Sequence, residues 1–299
     1  MNILVIGGSY FLGRVFVILA AKEHSVTVAN RGTYSMEEFG AKQIKGDRHD
    51  KELWRKCVEH YDVIVDFCAY QPGDIACVFE NLAGSTSQYI LISTVDVYER
   101  GTGLVKDENA PLETRFFPGE TGSYISGKVA LEYELEKQCG LKGFHWTSLR
   151  PAIIYGPYNY APRESIFVQM AVKNRMLPEL IDADGRFQMV YVKDAAEAVM
   201  KCLGNNTAYD RAYNLCPDDG IGYNDFFGEL RRAAGGEIAM VPMSAEEAET
   251  RGIPLPFPVY GSETELCSNE RGKRELGLKY LPLSEGLERT YNAFVKIFQ

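Results

Sequence analysis

An α/β fold built on a doubly wound parallel sheet is predicted by three observations in this 299-residue chain. Short apolar runs recur at residues 3–6, 26–29, 63–68, 89–92 and 144–149, continuous rather than alternating, as in strands buried on both faces. Segments of helical length and spacing separate them, among them 11–21 and 124–139. The first run passes directly into a glycine turn, Gly7-Gly8-Ser9-Tyr10-Phe11-Leu12-Gly13, and then into a helix. Alternating strands and helices wind a sheet with helices on both faces.

The glycine turn makes this a Rossmann-type fold. A pyrophosphate needs a buried strand, a tight turn and a helix N-terminus whose free N–H groups face the anion. Glycine spacing alone is weak, but its place right behind a buried strand makes it specific here. The turn therefore assigns a dinucleotide to Gly7, Ser9, Tyr10, Phe11, Leu12 and Gly13. The second strand ends in Asn30-Arg31-Gly32, where an NAD enzyme usually carries an acid for the ribose diol. A carboxylate would repel a 2′-phosphate and Arg31 would grip it, which favours NADP(H), with NAD(H) the alternative if Arg31 is merely solvated. Asp47, after the next strand, faces two readings: acceptor for the adenine amino group, or loop cap.

Domain organisation follows from where the pattern changes. Residues 1–156 read as the dinucleotide-binding domain, its sheet completed by chain near 187–220. After Pro151, Pro157, Pro162 and Pro178 break the chain into shorter pieces, and residues 254–258 hold three prolines. Residues 157–186 and 221–299 are thus expected to form a smaller substrate-binding lobe over the crevice.

Composition narrows the function classes. Hydrophobic residues make up 45% of the chain, enough for a sizeable core, and 41 acidic against 32 basic residues leave a net charge of −9. Such a surface repels phosphate backbones and anionic membranes, so nucleic acid is disfavoured as a main partner. The first apolar run is too short for a leader core, and no later one reaches membrane-spanning length. Seven cysteines without a Cys-x-x-Cys pair read as reduced, packed thiols, and four scattered histidines give no metal site. The expectation is a cytoplasmic protein with a small-molecule substrate.

Tyr124 and Lys128 lie four apart on a helix, one turn above each other on one face. A lysine cation at that range is expected to lower the phenol pKa and make it a usable acid or base. With eighteen tyrosines, chance pairs arise: Tyr133 and Lys137 repeat the spacing and face the opposite side of the same helix. The first pair is preferred for its company, since Ser93 and Thr94 end a parallel strand, where sites of this fold collect. Either hydroxyl could share a substrate oxygen with Tyr124, or simply terminate the strand.

These motifs, in order, resemble the extended short-chain dehydrogenase/reductase superfamily, the NAD(P)-dependent epimerase/dehydratase group. The resemblance rests on the glycine turn, Ile90-Leu-Ile-Ser-Thr-Val-Asp-Val-Tyr98, Tyr124-x-x-x-Lys128, Leu149-Arg-Pro-Ala-Ile-Ile-Tyr-Gly-Pro157 and Val190-Tyr-Val-Lys-Asp-Ala-Ala196. It implies Tyr124 as catalytic acid/base, Thr94 as its hydroxyl partner and Lys128 as the residue holding the nicotinamide ribose. It also implies Phe67 and Cys68 lining the cofactor, a sugar-like or nucleotide-sugar substrate, and a homodimer formed through helices flanking the sheet. The departures point to the divergent, atypical branch: Tyr10 stands for the middle glycine of the turn. Val95-Asp96 stands where 4,6-dehydratases carry two carboxylates, which disfavours water loss and leaves Asp96 a base or a loop-bonding group. Phe187-Gln188 stands where an arginine usually holds a nucleotide-sugar phosphate, with Arg186 one position away. Substrate contacts are expected from Asp96, Tyr158, Asn159, Arg186 and Tyr260. The alternative function is a non-catalytic, NADP-binding regulatory or RNA-associated protein of that branch.

Overall fold

The computed structural model describes residues 1–235 and 237–299. Its centre is a seven-stranded sheet in which every pairing is parallel. The strands are β1 (Asn2–Ile6), β2 (Ser25–Asn30), β3 (Lys42–Lys45), β4 (His60–Asp66), β5 (Ser85–Ile92), β6 (His145–Pro151) and, from later in the chain, β10 (Arg211–Leu215). Their spatial order is β10-β6-β5-β4-β1-β2-β3, which reverses direction between β1 and β4. The register aligns the strand ends: Ile6 faces Ala29 and Asp66, and Ile92 faces Leu149. The residues that follow, Gly7, Asn30, Phe67 and Ser93, therefore open on one crevice at the switch point, where this fold binds ligands.

Successive side chains of each strand enter opposite faces, and both faces are apolar. Ile3, Val5, Val26, Val28, Val63 and Val65 pack with α1 (Phe11–Ala20) and α6 (Val192–Cys202). Leu4, Ile6, Ile64, Tyr89 and Leu91 pack beneath α2 (Lys51–Arg55), α3 (Asp74–Asn81) and α4 (Gly119–Lys142). Five of the seven strands fall on the apolar runs that the sequence predicted; β3, Lys-Gln-Ile-Lys, and β10, at the two edges of the sheet, were not among them. The predicted second helix starts five residues earlier than its periodicity indicated, because Gly119 and Gly122 interrupt the apolar pattern without interrupting the helix.

Between these elements lie β7 (Ile153–Tyr155), α5 (Glu164–Lys173), β8 (Met176–Leu180) and β9 (Met189–Tyr191). They are followed, beyond β10, by α7 (Tyr223–Ala233), β11 (Ala239–Met243), α8 (Ala245–Thr250), α9 (Glu270–Leu276) and α10 (Leu283–Phe298). β8 with β11 and β7 with β9 form two short parallel pairs outside the main sheet. Phe167, Phe226, Phe227 and Leu287 of these segments join the same apolar cluster as Phe16 and Val17 of α1, so this part of the chain has no separate core.

A buried polar knot fastens α4 to the sheet. Arg150, at the end of β6, donates to both carboxylate oxygens of Glu132 at 2.9 and 2.6 Å, and to the Tyr98 hydroxyl at 2.8 Å. Ser148 donates to the same carboxylate, and Tyr98 donates to Asn214 of β10. Removing one member of a buried pair strands the other charge in a poor solvent. Glu132→Ala is expected to cost about 3–5 kcal/mol, measured by urea unfolding; a loss below about 1 kcal/mol would contradict the assignment.

Candidate active site

The crevice at the strand ends is a cavity of about 1010 Å³ that runs from Arg31 and Asp47 past the glycine turn to Tyr124 and beyond. Its first wall is set by close packing. Gly8 has φ +72°, and a Cβ there would lie 2.7 Å from Val5; a Cβ on Gly13 would lie 2.8 Å from the Gly8 Cα. Only glycine lets α1 approach β1 this closely. Tyr10 is tolerated at the middle position because its backbone is extended, φ −122°, and its side chain turns outward. There it meets Tyr34 and Tyr160 edge-on, with ring centroids 5.1 and 5.7 Å away. The left-handed conformation falls instead on Phe11, φ +38°, an uncommon value for a non-glycine residue that concentrates backbone strain at the helix start.

At the adenosine end, Arg31 is exposed on the crevice rim and makes no ion pair among the described residues. Asn30 does not present its side chain to a ligand: it donates to Gly7 O at 3.1 Å and accepts from Gly32 N and Gln43 at 2.8 Å. It braces the glycine turn from the end of β2. Asp47 accepts from the backbone N–H and ring of His49, and the backbone bond chiefly holds its carboxyl below the usual range.

Beneath this end lies a cluster that sequence reasoning missed. Arg48 forks onto Asp66 with two bonds of 3.0 Å, and the buried Asp66 also accepts from Tyr89 at 2.6 Å and from Cys68 N at 2.9 Å. Arg48 further donates to Asp74 O, while Asp74 receives the backbone N–H groups of Tyr70 and Gln71. Burial opposes both charges, but the Asp66 carboxylate holds Arg48 charged and Arg48 holds the Asp66 carboxyl low. The signal was present: an aspartate inside the apolar run 63–68 needs a buried cation. Which cation it takes depends on the fold. Phe67 and Cys68 line the crevice beside Gly7, and burial pushes the Cys68 thiol up to about 12.

Lys128 occupies the centre. It is 2% exposed, and its ammonium donates to the carbonyls of Ala69, just past β4, and Ile92, the last residue of β5, at 2.8 Å each. The same nitrogen lies 4.7 Å from the Tyr70 ring centroid and 5.9 Å from that of Tyr124. Burial lowers its pKa to about 8, against the pull of Asp66 and Cys68. Tyr124 lines the crevice with 37% of its surface open. Desolvation pushes the phenol up to about 12, Asp96 adds to the rise, and the nearby Thr94 hydroxyl and the charge of Arg163 oppose it. The expected lowering of this phenol by Lys128 is thus not seen in the protein alone: the lysine is fastened to two carbonyls. Tyr133 and Lys137 are exposed on the other side of α4, away from the crevice.

Thr94 is buried at the start of a turn; its hydroxyl donates to Asp96 at 3.1 Å and accepts from the Asp96 N–H. Asp96 in turn accepts from Arg100 at 3.0 Å. Thr94, Asp96 and Arg100 thus form one linked set beside Tyr124 in the crevice. The Ser93 hydroxyl, buried in the crevice wall, has no partner among the described residues.

The structure corrects four expected substrate contacts. Tyr158 stacks on the Arg14 guanidinium outside the crevice, and Asn159 is consumed by both oxygens of buried Glu164 at 2.8 Å. Arg186 pairs with Asp225 and Gly220 O on the surface, and Tyr260, also on the surface, opens a turn through its backbone. Arg186 and Asp225 lie 39 residues apart, and Tyr158 and Arg14 farther still, so spacing could not foresee these pairings. Asp96 alone of the five lies in the crevice, joined there by Arg100, Lys106 and Arg163. No cluster of three or more metal-ligating side chains occurs among the described residues, and no helix among them is long and apolar enough to cross a membrane.

A dinucleotide fits this crevice on structural grounds: the glycine turn leaves room for backbone N–H groups to approach an anion, Arg31 is unpaired, and the Ser93 hydroxyl awaits a partner.

Comparison with known proteins agrees with the geometry. Residues 77–216 match the NAD dependent epimerase/dehydratase family. The UDP-glucose 4-epimerase of Thermotoga maritima, solved with UDP-glucose, is 20% identical with a TM-score of 0.79, each chain covered in full. The dTDP-glucose 4,6-dehydratase of Bacillus anthracis, solved with NAD, is 20% identical with a TM-score of 0.76, over 99% of this chain and 97% of that one. The chloroplast stem-loop binding protein of 41 kDa b from Arabidopsis thaliana is 28% identical over 310 residues, 97% of this chain and 78% of that protein.

The Lys128 titration has a definite sign. With its folded pKa near 8 and its unfolded value at the ordinary 10.5, the unfolded chain binds more protons between those pH values. Stability relative to Lys128→Met should therefore rise as pH climbs from 8 to 10.5. Urea unfolding of the cofactor-free proteins at pH 8 and 10 checks this; a difference that stays constant would contradict it.

Proposed function

We propose that this chain, which matches the NAD dependent epimerase/dehydratase family over residues 77–216, is a nicotinamide-dependent oxidoreductase or epimerase acting at a hydroxyl or carbonyl carbon of a sugar-like substrate. One observation carries the reading: Thr94, just past the end of β5, meets Tyr124 and Lys128 of α4 in one crevice. When bound, the nicotinamide exchanges a hydride with the reacting carbon.

This chain's own residues supply the proton and the positioning. Tyr124 moves a proton at the substrate oxygen, and Thr94 holds that oxygen and the phenol together. Lys128 holds the nicotinamide ribose; on doing so its ammonium exchanges carbonyl partners for hydroxyls near the phenol. Asp96 keeps Thr94 oriented and is neutralised by Arg100, so it is a positioning carboxylate and not a base for water loss. Arg31 grips a 2′-phosphate, so NADP(H) is the preferred cofactor; the N–H groups of Ser9–Gly13 hold the pyrophosphate, with Phe67 and Cys68 beside it and Asp47 at the adenine.

A second reading is favoured by one finding, the 28% identical stem-loop binding protein. It makes the chain an RNA-associated binder without turnover. The net charge of −9 argues against it, as does a complete hydroxyl, phenol and amine set that a pure binder does not need.

Tyr124→Phe should reduce turnover of a sugar or carbonyl substrate by about 10²–10⁴-fold while cofactor binding persists; equal turnover in both proteins would overturn the assignment. Arg31→Ala should weaken NADPH binding by about tenfold or more, as expected for a lost charge-assisted bond, and leave NADH nearly unchanged. Equal losses for both cofactors would remove Arg31 from the 2′-phosphate site.

A further inference from the structure

Past Tyr124 the crevice is lined by charged side chains that pair with one another, apart from Glu263, held by backbone N–H groups, and Arg163. Arg100 donates to Asp96, and Lys106, 5% exposed, is paired with Glu265. Glu263 accepts the backbone N–H groups of Val259 and Tyr260 at 2.7 and 3.1 Å. Arg163 has no such match. Its Nη2 donates to the Ile154 carbonyl at 3.2 Å, its Nε is buried without a partner, and it makes no ion pair among the described residues. Glu164, next in sequence, turns its carboxylate to Asn159 and Gly156 N instead. The Arg163 side chain lines the same crevice as Tyr124.

Residues 186–188, where the resemblance places a nucleotide-sugar phosphate, offer no free cation. Arg186 is held on the surface by Asp225. Phe187 stacks on Phe257 with ring centroids 4.7 Å apart. Gln188 spends its amide on Pro217 O and Cys267 O and its oxygen on Cys267 N. Three cations and three carboxylates line this half, so it is neutral before any ligand enters. Two further negative charges would find no pair of free cations; one carboxylate would find one guanidinium, in the planar fork geometry that suits it.

Resting on the catalytic reading above, we infer that Arg163 binds a substrate carboxylate beside the reacting carbon, and that the substrate is a sugar-sized hydroxy acid, an aldonate or uronate, rather than a nucleotide sugar. The carboxylate anchors at Arg163, and the hydroxyls meet the remaining donors and acceptors of the Asp96–Arg100 and Lys106–Glu265 pairs.

The test is calorimetric titration of the NADP-loaded protein with D-glucuronate, D-galacturonate and D-gluconate, each beside its neutral sugar or alditol, and with UDP-glucose. At least one acid should bind tenfold or more tighter than its neutral counterpart and than UDP-glucose. Arg163→Gln should bring the acid to within twofold of the neutral compound, Arg163→Lys should keep an intermediate preference, and the neutral affinity should be the same in all three proteins. No preference for any acid, tighter binding of UDP-glucose, or a preference that survives Arg163→Gln would each overturn the inference. Because binding needs no proton transfer, Tyr124→Phe separates the two claims. A carboxylate preference without turnover in any protein would sink the catalytic reading alone, and turnover of neutral sugars without the preference would sink this one alone.

Discussion

A buried ammonium group holds this site together. Lys128 reaches from α4 to the carbonyl of Ala69 behind β4 and to that of Ile92 at the end of β5, so one side chain bonds three elements at the point where the sheet opens. Two peptide oxygens satisfy the charge only in part, and burial lowers its pKa to about 8. The bonds fix the rotation of α4 about its axis, and with it the direction of Tyr124 one turn earlier. The crevice is thus held in shape by a group whose present partners a ribose diol can replace.

Charge is distributed unevenly along the crevice. At the adenosine end, opposite charges are buried below the floor as the Arg48–Asp66 pair, leaving Arg31 to define the rim. At the inner end they line the wall itself, matched in pairs that offer hydrogen bonds without net charge, apart from the Glu263 carboxylate, held by backbone N–H groups, and the guanidinium of Arg163. The phenol lies between these two regimes. Its high pKa of about 12 in the protein alone reflects burial and the nearby Asp96. A cation brought close by a ligand would lower it, coupling proton transfer to occupancy of the cofactor site.

The fold was legible because its signals are local. Continuous apolar runs mark strands covered on both faces, and Gly8 and Gly13 mark a close approach that other residues cannot make. The Tyr124–Lys128 pair was legible for the same reason, since helical spacing puts both on one face. Pairings across the chain were not. Asn159 reads as a polar contact until Glu164 consumes it, and Arg186 as a phosphate grip until Asp225 holds it on the surface. Asp66 announced a buried partner but not that Arg48 would supply it. Arg163 gave no signal at all, because what distinguishes it is the lack of a carboxylate that its neighbours have found. The family resemblance supplied the roles proposed for Thr94 and Lys128; the residues alone left Ser93 and Thr94 equal, and in the structure Thr94 bonds Asp96 while the Ser93 hydroxyl has no partner among the described residues.

The central claim is that this crevice holds a nicotinamide dinucleotide with its reactive end at Tyr124, Thr94 and Lys128. A crystal structure of the chain grown with NADP⁺ tests it most directly. The account predicts continuous ligand density from Arg31 across the glycine turn to Lys128, with the lysine nitrogen moved from the carbonyls of Ala69 and Ile92 onto ribose hydroxyls. An empty crevice at saturating NADP⁺, or a dinucleotide whose nicotinamide lies away from Tyr124, would contradict it.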